Sequence, residues 1–175
     1  MGAARDERAS GDWAGPADRQ VITAVVLDEN PDRRLDVGIL PRDLAHHDRE
    51  QASVDLRRDS VFSPRGQTGP FVLYLSVRGG RIVLDIRDEA HRPLCRHGLP
   101  LSRFRAIIKD YRFLLDAFDN AAAGRESARM QAIDMGRRAL HDEGAGLMIS
   151  LLAGQVRLDL ATARRLFTLV CLLHG

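Results

Sequence analysis

Two runs of alternating apolar residues constrain this chain more than any other stretch: Phe71-Val72-Leu73-Tyr74-Leu75-Ser76-Val77 and Ile82-Val83-Leu84-Asp85-Ile86-Arg87, separated by Arg78-Gly79-Gly80-Arg81. Glycine takes positive φ at no steric cost, so Gly79-Gly80 supplies both central positions of a two-residue hairpin turn. That turn pairs Val77 with Ile82, Leu75 with Leu84 and Leu73 with Ile86. One face then carries Phe71, Leu73, Leu75, Val77, Ile82, Leu84 and Ile86. Turn chemistry and alternation agree on this register, and a one-residue slip would turn every apolar side chain to water. The opposite face carries Val72, Tyr74, Ser76, Val83, Asp85 and Arg87, with Tyr74 opposite Asp85 and diagonal to Arg87. A third strand around Pro93 to Leu99 extends the hairpin.

The other elements follow from period and punctuation. Residues 1–19, rich in Gly, Ala, Asp and Arg with Trp13 as the only large apolar residue, read as a disordered tail. Residues 20–175 read as a single domain, long enough to bury a core. Val21 to Leu27 reads as a β-branched strand, residues 30–45 as a loop, His47 to Asp59 as a short helix, and residues 60–70 as a breaker-rich loop. Ser102 is a candidate N-cap for a helix over 102–120. Its stripe of Phe104, Ile107, Ile108, Tyr111, Leu114, Leu115 and Phe118 is expected to lie on the apolar hairpin face. Ala106, Phe113 and Ala117 make its other side apolar too, so a second helix or a homodimer partner should cover it. A helix over 126–142, with an apolar arc of Ala128, Ala132, Ile133, Met135, Gly136, Ala139 and Leu140, is expected to pack on the 102–120 helix. Gly144 reads as its C′ residue. A short helix over 145–152, an edge strand Val156–Leu158, a cap at Asp159 and a buried last helix from Leu160 to His174 complete the reading. The class is α+β, a small antiparallel sheet on a C-terminal bundle of about three helices.

Composition excludes several functions. The net charge of +2 gives no global field toward nucleic acid or membrane. Residues 1–70 carry ten Arg against thirteen acids, while residues 78–138 carry twelve Arg and Lys109 against eight, so the middle is mildly basic. Arg outnumbers Lys 25 to 1, which lowers the weight of any arginine pair and singles out Lys109. Cys95 and Cys171 form no C-x-x-C pair, as in a reducing compartment. The N-terminus has no apolar h-region, and the run Leu166 to Leu173 is too short for a bilayer. The expectation is a cytoplasmic protein without membrane contact.

The candidate site is a helical stripe of Asp134, Arg137, Arg138 and His141, with a second arginine pair at Arg164 and Arg165. Two guanidiniums and an imidazole can hold a phosphate or carboxylate, with Asp134 orienting one Arg. The same residues can equally form an ordinary ion-paired face, worth only ~0.3–0.5 kcal/mol per pair. If the two arginine pairs meet, they need a counter-charge, for which Asp88, Glu89 and Asp110 are candidates. Lys109 borders the second apolar side of the 102–120 helix. The reading is a non-enzymatic binding or regulatory module for an anionic small molecule or protein partner. The alternative is a small enzyme acting on a phosphorylated or carboxylated metabolite, with His141 or Lys109 as acid or base beside Asp110 or Glu143. No nucleophile elbow is present. His46-His47 and His141-Asp142-Glu143 lack paired ligand spacing, so no metal is expected. Arg65-Gly66-Gln67-Thr68-Gly69 lacks the G-K-[ST] end of a phosphate loop, and no cofactor is expected. Nucleic acid is disfavoured, because Asp85 interrupts the Tyr74–Arg87 face.

Taken together, Ile108-Lys109-Asp110-Tyr111, Ile133 to Arg138 with His141 and Glu143-Gly144, and Thr162 to Leu169 with Leu173-His174 resemble uncharacterised protein family 0262 of alphaproteobacteria. The resemblance spans roughly residues 21–174, including Leu27-Asp28-Glu29, the region His47 to Phe62, and Gly69-Pro70. This chain departs from the pattern at Asp142, where an amide is expected, and at Leu160-Ala161, where Phe-Asp is expected. The resemblance implies a soluble bacterial protein and carries over no catalytic or binding roles.

Overall fold

The structure, a computed structural model, describes residues 20–28, 42–124 and 127–174. The tail read over 1–19 and most of the loop read over 30–45 lie outside those residues. Strands are β1 (Ile22–Asp28), β2 (Phe62–Pro64), β3 (Phe71–Arg78), β4 (Arg81–Arg87), β5 (Pro93–Pro100) and β6 (Val156–Leu158). Helices are α1 (Arg42–Arg58), α2 (Arg105–Ala123), α3 (Ser127–Leu152) and α4 (Leu160–His174).

The hairpin has the expected register: Val77 faces Ile82, Leu75 faces Leu84, Leu73 faces Ile86 and Tyr74 faces Asp85. Gly79 and Gly80 both take positive φ, at 56° and 70°. Its inner face is the wall of the core, with Phe71, Leu73, Leu75, Ile82, Leu84 and Ile86 fully buried. β5 extends the sheet antiparallel to β4, as expected. β1, however, joins the other edge parallel to β3, so the sheet is mixed, in the order β1-β3-β4-β5. A parallel neighbour requires a crossover connection. The chain between β1 and β3 includes α1, which packs back on β1.

Residues 60–70 are not a loop throughout. Phe62–Pro64 pairs antiparallel with Val156–Leu158 as a second, two-stranded sheet. Phe62 is fully buried, edge-on to Phe71 with ring centroids 6.0 Å apart. Three residues are too few to carry a period, so the strand exists because of its partner and its burial. Two hydroxyls satisfy neighbouring backbone groups: Ser60 accepts from Ile22 N–H at 2.8 Å, and Thr162 accepts from Val61 N–H at 2.9 Å.

The helices depart from the sequence reading at their ends. α1 begins several residues earlier than expected, so the C-terminal part of the expected 30–45 loop is helical. Ser102 does not cap α2: it lies in a 3₁₀ turn, Leu101–Arg103, and the N-cap position falls to fully buried Phe104, with no side-chain cap bond. Burial of that ring outweighs capping, which is worth only ~1 kcal/mol. The helix laid on β3 is α4, and α2 packs chiefly on α3, reaching the sheet through its 3₁₀ turn against β4. The expected arc of α3 is rotated. Ile133 is buried and Leu140 half-buried, while Ala128, Ala132, Met135 and Ala139 face outward. On the second side of α2, Phe113 is 71% exposed, with no described element over it. Among the described residues, no helix is long and apolar enough to cross a membrane.

α3 is one continuous helix rather than two. Gly144 does not end it but lies buried under Phe167, where an added Cβ would come within 2.5 Å of the ring. The glycine is there for close helix approach, not for a left-handed C-cap. Asp159 does cap α4, as expected, accepting from Thr162 N–H at 2.8 Å. Gly144→Ala is therefore expected to destabilise the fold by about 1–3 kcal/mol through overpacking. Gly146→Ala, where nothing lies within 4 Å of the new methyl, should gain up to ~1 kcal/mol of helix propensity. Urea unfolding of both variants checks this, and similar shifts for the two would mean that the ring contact does not control α3.

Candidate functional site

Three helices enclose a cleft of about 200 Å³ lined by Asp48, Gln51, Ala52 and Asp55 of α1, Arg137 and His141 of α3, and Arg164, Arg165 and Thr168 of α4. On α1 the spacing of 48, 51, 52 and 55 places these side chains on one helical stripe. Ala52 and Leu56 tie that helix to the core. On α3, positions 137 and 141 lie one turn apart, and on α4 so do 164 and 168.

Arg137 is the hinge of the site. It donates to Asp48 Oδ2 at 3.1 Å and to Asp134 Oδ1 at 3.1 Å, linking α1 to α3. It is only 30% exposed and Asp48 only 16%, so water screens this pair less than a surface pair. Burial works against the guanidinium charge, but the Asp48 carboxylate, then Tyr111 and Asp134, outweigh it and hold the arginine above its usual pKa. The Tyr111 hydroxyl, buried on α2, donates to the same Asp48 oxygen at 3.3 Å. Burial, then the Asp48 charge, pushes the phenol far up, so it remains a donor.

His141 lies against Tyr111, with ring centroids 4.9 Å apart, and edge-on to Phe167 at 6.2 Å. Burial, then the neighbouring Arg137 charge, pushes the imidazole down to about 4, so it is neutral at pH 7. Its Nε2 is sealed and meets no hydrogen-bond partner among the described residues. His141 lines the cleft.

Arg164 and Arg165 of α4 line the same cleft as Arg137, and their counter-charges are local. Arg164 donates its Nε to Asp142, bridging α4 to α3. Arg165 donates to the Asp59 carbonyl just beyond the C-terminus of α1, where backbone carbonyls concentrate negative charge. It also lies 3.8 Å from the Asp59 carboxylate. The acids are thus Asp48, Asp59, Asp134 and Asp142, not the expected Asp88, Glu89 or Asp110. Asp88 instead pairs with Arg92. Arg138 pairs with Asp134 at 2.9 Å, is 78% exposed, and stays outside the cleft lining. Lys109 is exposed on α2 and also outside it. Sequence reading missed Asp48, Gln51, Asp55 and Thr168. The polar stripe at 48, 51 and 55 is visible in the residues, but its partners are some 90 positions away.

The outer face of the sheet carries a second polar cluster. Asp85 accepts from Arg87 at 2.8 Å and Arg96 at 3.0 Å, and its carboxyl is held below its ordinary value because these two arginines outweigh desolvation by burial. Arg87 lies 4.2 Å above the Tyr74 ring, and Tyr74 bonds His91 at 2.9 Å. These groups satisfy one another. Among the described residues no group of three His, Cys, Asp or Glu could hold a metal ion.

Sequence comparison places this α+β protein in a family. The chain belongs to the uncharacterised protein family UPF0262, whose sequence model matches residues 19–175. It is 47% identical over 157 residues to a UPF0262 protein of Acidiphilium cryptum (strain JF-5), covering 87% of this chain and 91% of that one. It is 43% identical over 163 residues to a UPF0262 protein of Rhodopseudomonas palustris (strain BisA53), covering 92% and 96%. No solved structure matches.

The depressed imidazole has a consequence for stability. Between its ordinary value of 6.5 and about 4, the unfolded chain binds the His141 proton more readily than the folded one. The contribution is full above about pH 6.5 and drains as the pH falls toward about 4. Its size is on the order of 3 kcal/mol. His141→Phe, which keeps a ring between Tyr111 and Phe167, should flatten the melting temperature over that window. An unchanged pH profile in the variant would refute the assignment.

Proposed function

We propose that this protein is a non-enzymatic binding module that recognises a small anionic ligand in the cleft between α1, α3 and α4. The observation that carries this reading is convergence: Arg137, Arg164 and Arg165, from two helices, line one concave site. Each has internal partners, yet donors remain. Arg164 commits its Nε to Asp142, and its two terminal nitrogens meet no acceptor among the described residues. Planar guanidiniums with paired donors suit a carboxylate or phosphate. His141 adds a neutral ring nitrogen. An imidazole pushed down to about 4 is a weak base at pH 7 and has no proton to give, which favours binding over acid–base chemistry.

The test is calorimetric titration with inorganic phosphate and with succinate, on the natural chain and on Arg164→Ala. The Arg164–Asp142 pair is roughly half exposed, so its loss should cost stability only ~0.2–1 kcal/mol. Affinity should fall about tenfold or more, as for a lost charge-assisted bond. Equal affinity in the variant would remove this reading. Arg137→Ala should instead lower the melting temperature even without ligand, because it strips Asp48 of its cation; an unchanged midpoint would mean that the Arg137–Asp48 link does not hold α1 to α3.

A further inference from the structure

We infer that the ligand is zwitterionic, a small molecule that carries an ammonium beside its carboxylate, as a free α-amino acid does. This rests on the anion-binding reading of the same cleft and adds its opposite wall. The side formed by α3 and α4 is cationic, with Arg137, Arg164 and Arg165, while the α1 side is acidic, with Asp48 and Asp55. The acidic side is not fully spent on the arginines. Asp55 has no cationic partner among the described residues; its Oδ1 accepts only from the neutral Gln51 amide at 2.9 Å. Asp48 receives both Tyr111 and Arg137 on Oδ2, and its Oδ1 meets no donor among the described residues. A simple dianion drawn in by the guanidiniums would therefore lie beside an uncompensated carboxylate, and in a partly desolvated cleft that repulsion is weakly screened. An ammonium on the same ligand removes it by pairing with Asp55 and Asp48 while the carboxylate meets Arg164 and Arg137. Size agrees. About 200 Å³ is roughly seven waters' worth of liquid, below the ~300–1,000 Å³ of pockets for drug-sized ligands.

The experiment is a calorimetric screen of the natural chain against each standard L-amino acid, its N-acetyl derivative, succinate and inorganic phosphate. N-acetylation removes the ammonium charge and leaves the carboxylate. At least one free amino acid should bind, with its N-acetyl form about tenfold weaker, and Asp55→Asn should close that gap while the melting temperature stays put. If the N-acetyl forms, succinate or phosphate bind as tightly as the free amino acids, the zwitterion inference is overturned and the anion reading stands. If nothing binds at millimolar concentration, both fall. If a gap exists but persists in Asp55→Asn, the acidic wall is not what reads the ammonium, and the inference is wrong as argued.

Discussion

The structure turns on one contact, the Phe167 ring lying against the backbone of Gly144. Phe167 is fully buried on α4, stacked on Phe104 at 6.2 Å and edge-on to His141. Interiors pack like crystals, so a ring of this size dictates what its neighbours lack as much as what they carry. Here it requires that position 144 have no Cβ. That requirement brings α3 close to α4 and makes the helix run unbroken past a glycine that would otherwise read as its end. It also fixes the rotation of α3 about its own axis. With Gly144 inward, His141 and Arg137 turn toward α1 and α4, and Asp142 comes to rest at Arg164.

The cleft follows from that geometry, and its ion pairs act as struts between helices. Arg137–Asp48 joins α3 to α1, Arg164–Asp142 joins α4 to α3, and Arg165 closes on the end of α1 at Asp59. The pair that water reaches least, Arg137–Asp48, contributes most to holding the helices; the others are exposed enough to contribute little. This division lets one group of residues both support the fold and leave donors and acceptors over. Packing also explains the neutral histidine. A ring enclosed by Tyr111, Phe167 and a guanidinium cannot carry a proton cheaply.

Much of the fold was legible because its signals are local. The Gly79-Gly80 turn and its flanking alternation specified the hairpin register residue by residue, down to Tyr74 opposite Asp85. Asp159 announced α4 by the ordinary chemistry of an N-cap. Three of the misreadings share a cause. Ser102, Gly144 and the Phe62–Pro64 strand each looked like punctuation, and each was overruled by burial of an aromatic ring, Phe104, Phe167 and Phe62 respectively. At the site, Arg137, His141, Arg164 and Arg165 could be named from spacing. Arg138 and Lys109 could not be set apart from them, because a rotation of one helix by less than a third of a turn decides which residue faces inward.

The sequence by itself determined the α+β class, the hairpin and its register, the buried last helix and the arginine-bearing segments. Those properties depend on neighbours within a few turns of chain, where turn chemistry, capping and periodicity act. Only the tertiary structure decided the parallel placement of β1, the pairing of β2 with β6, and the union of α1 with α3 and α4 around one cleft. One of the two acids that answer Arg137, Asp48, lies 89 residues away on α1. No local propensity links two such positions. They meet because buried rings and a missing methyl leave the helices one close-packed arrangement, and the charges then pair across whatever gap that packing leaves.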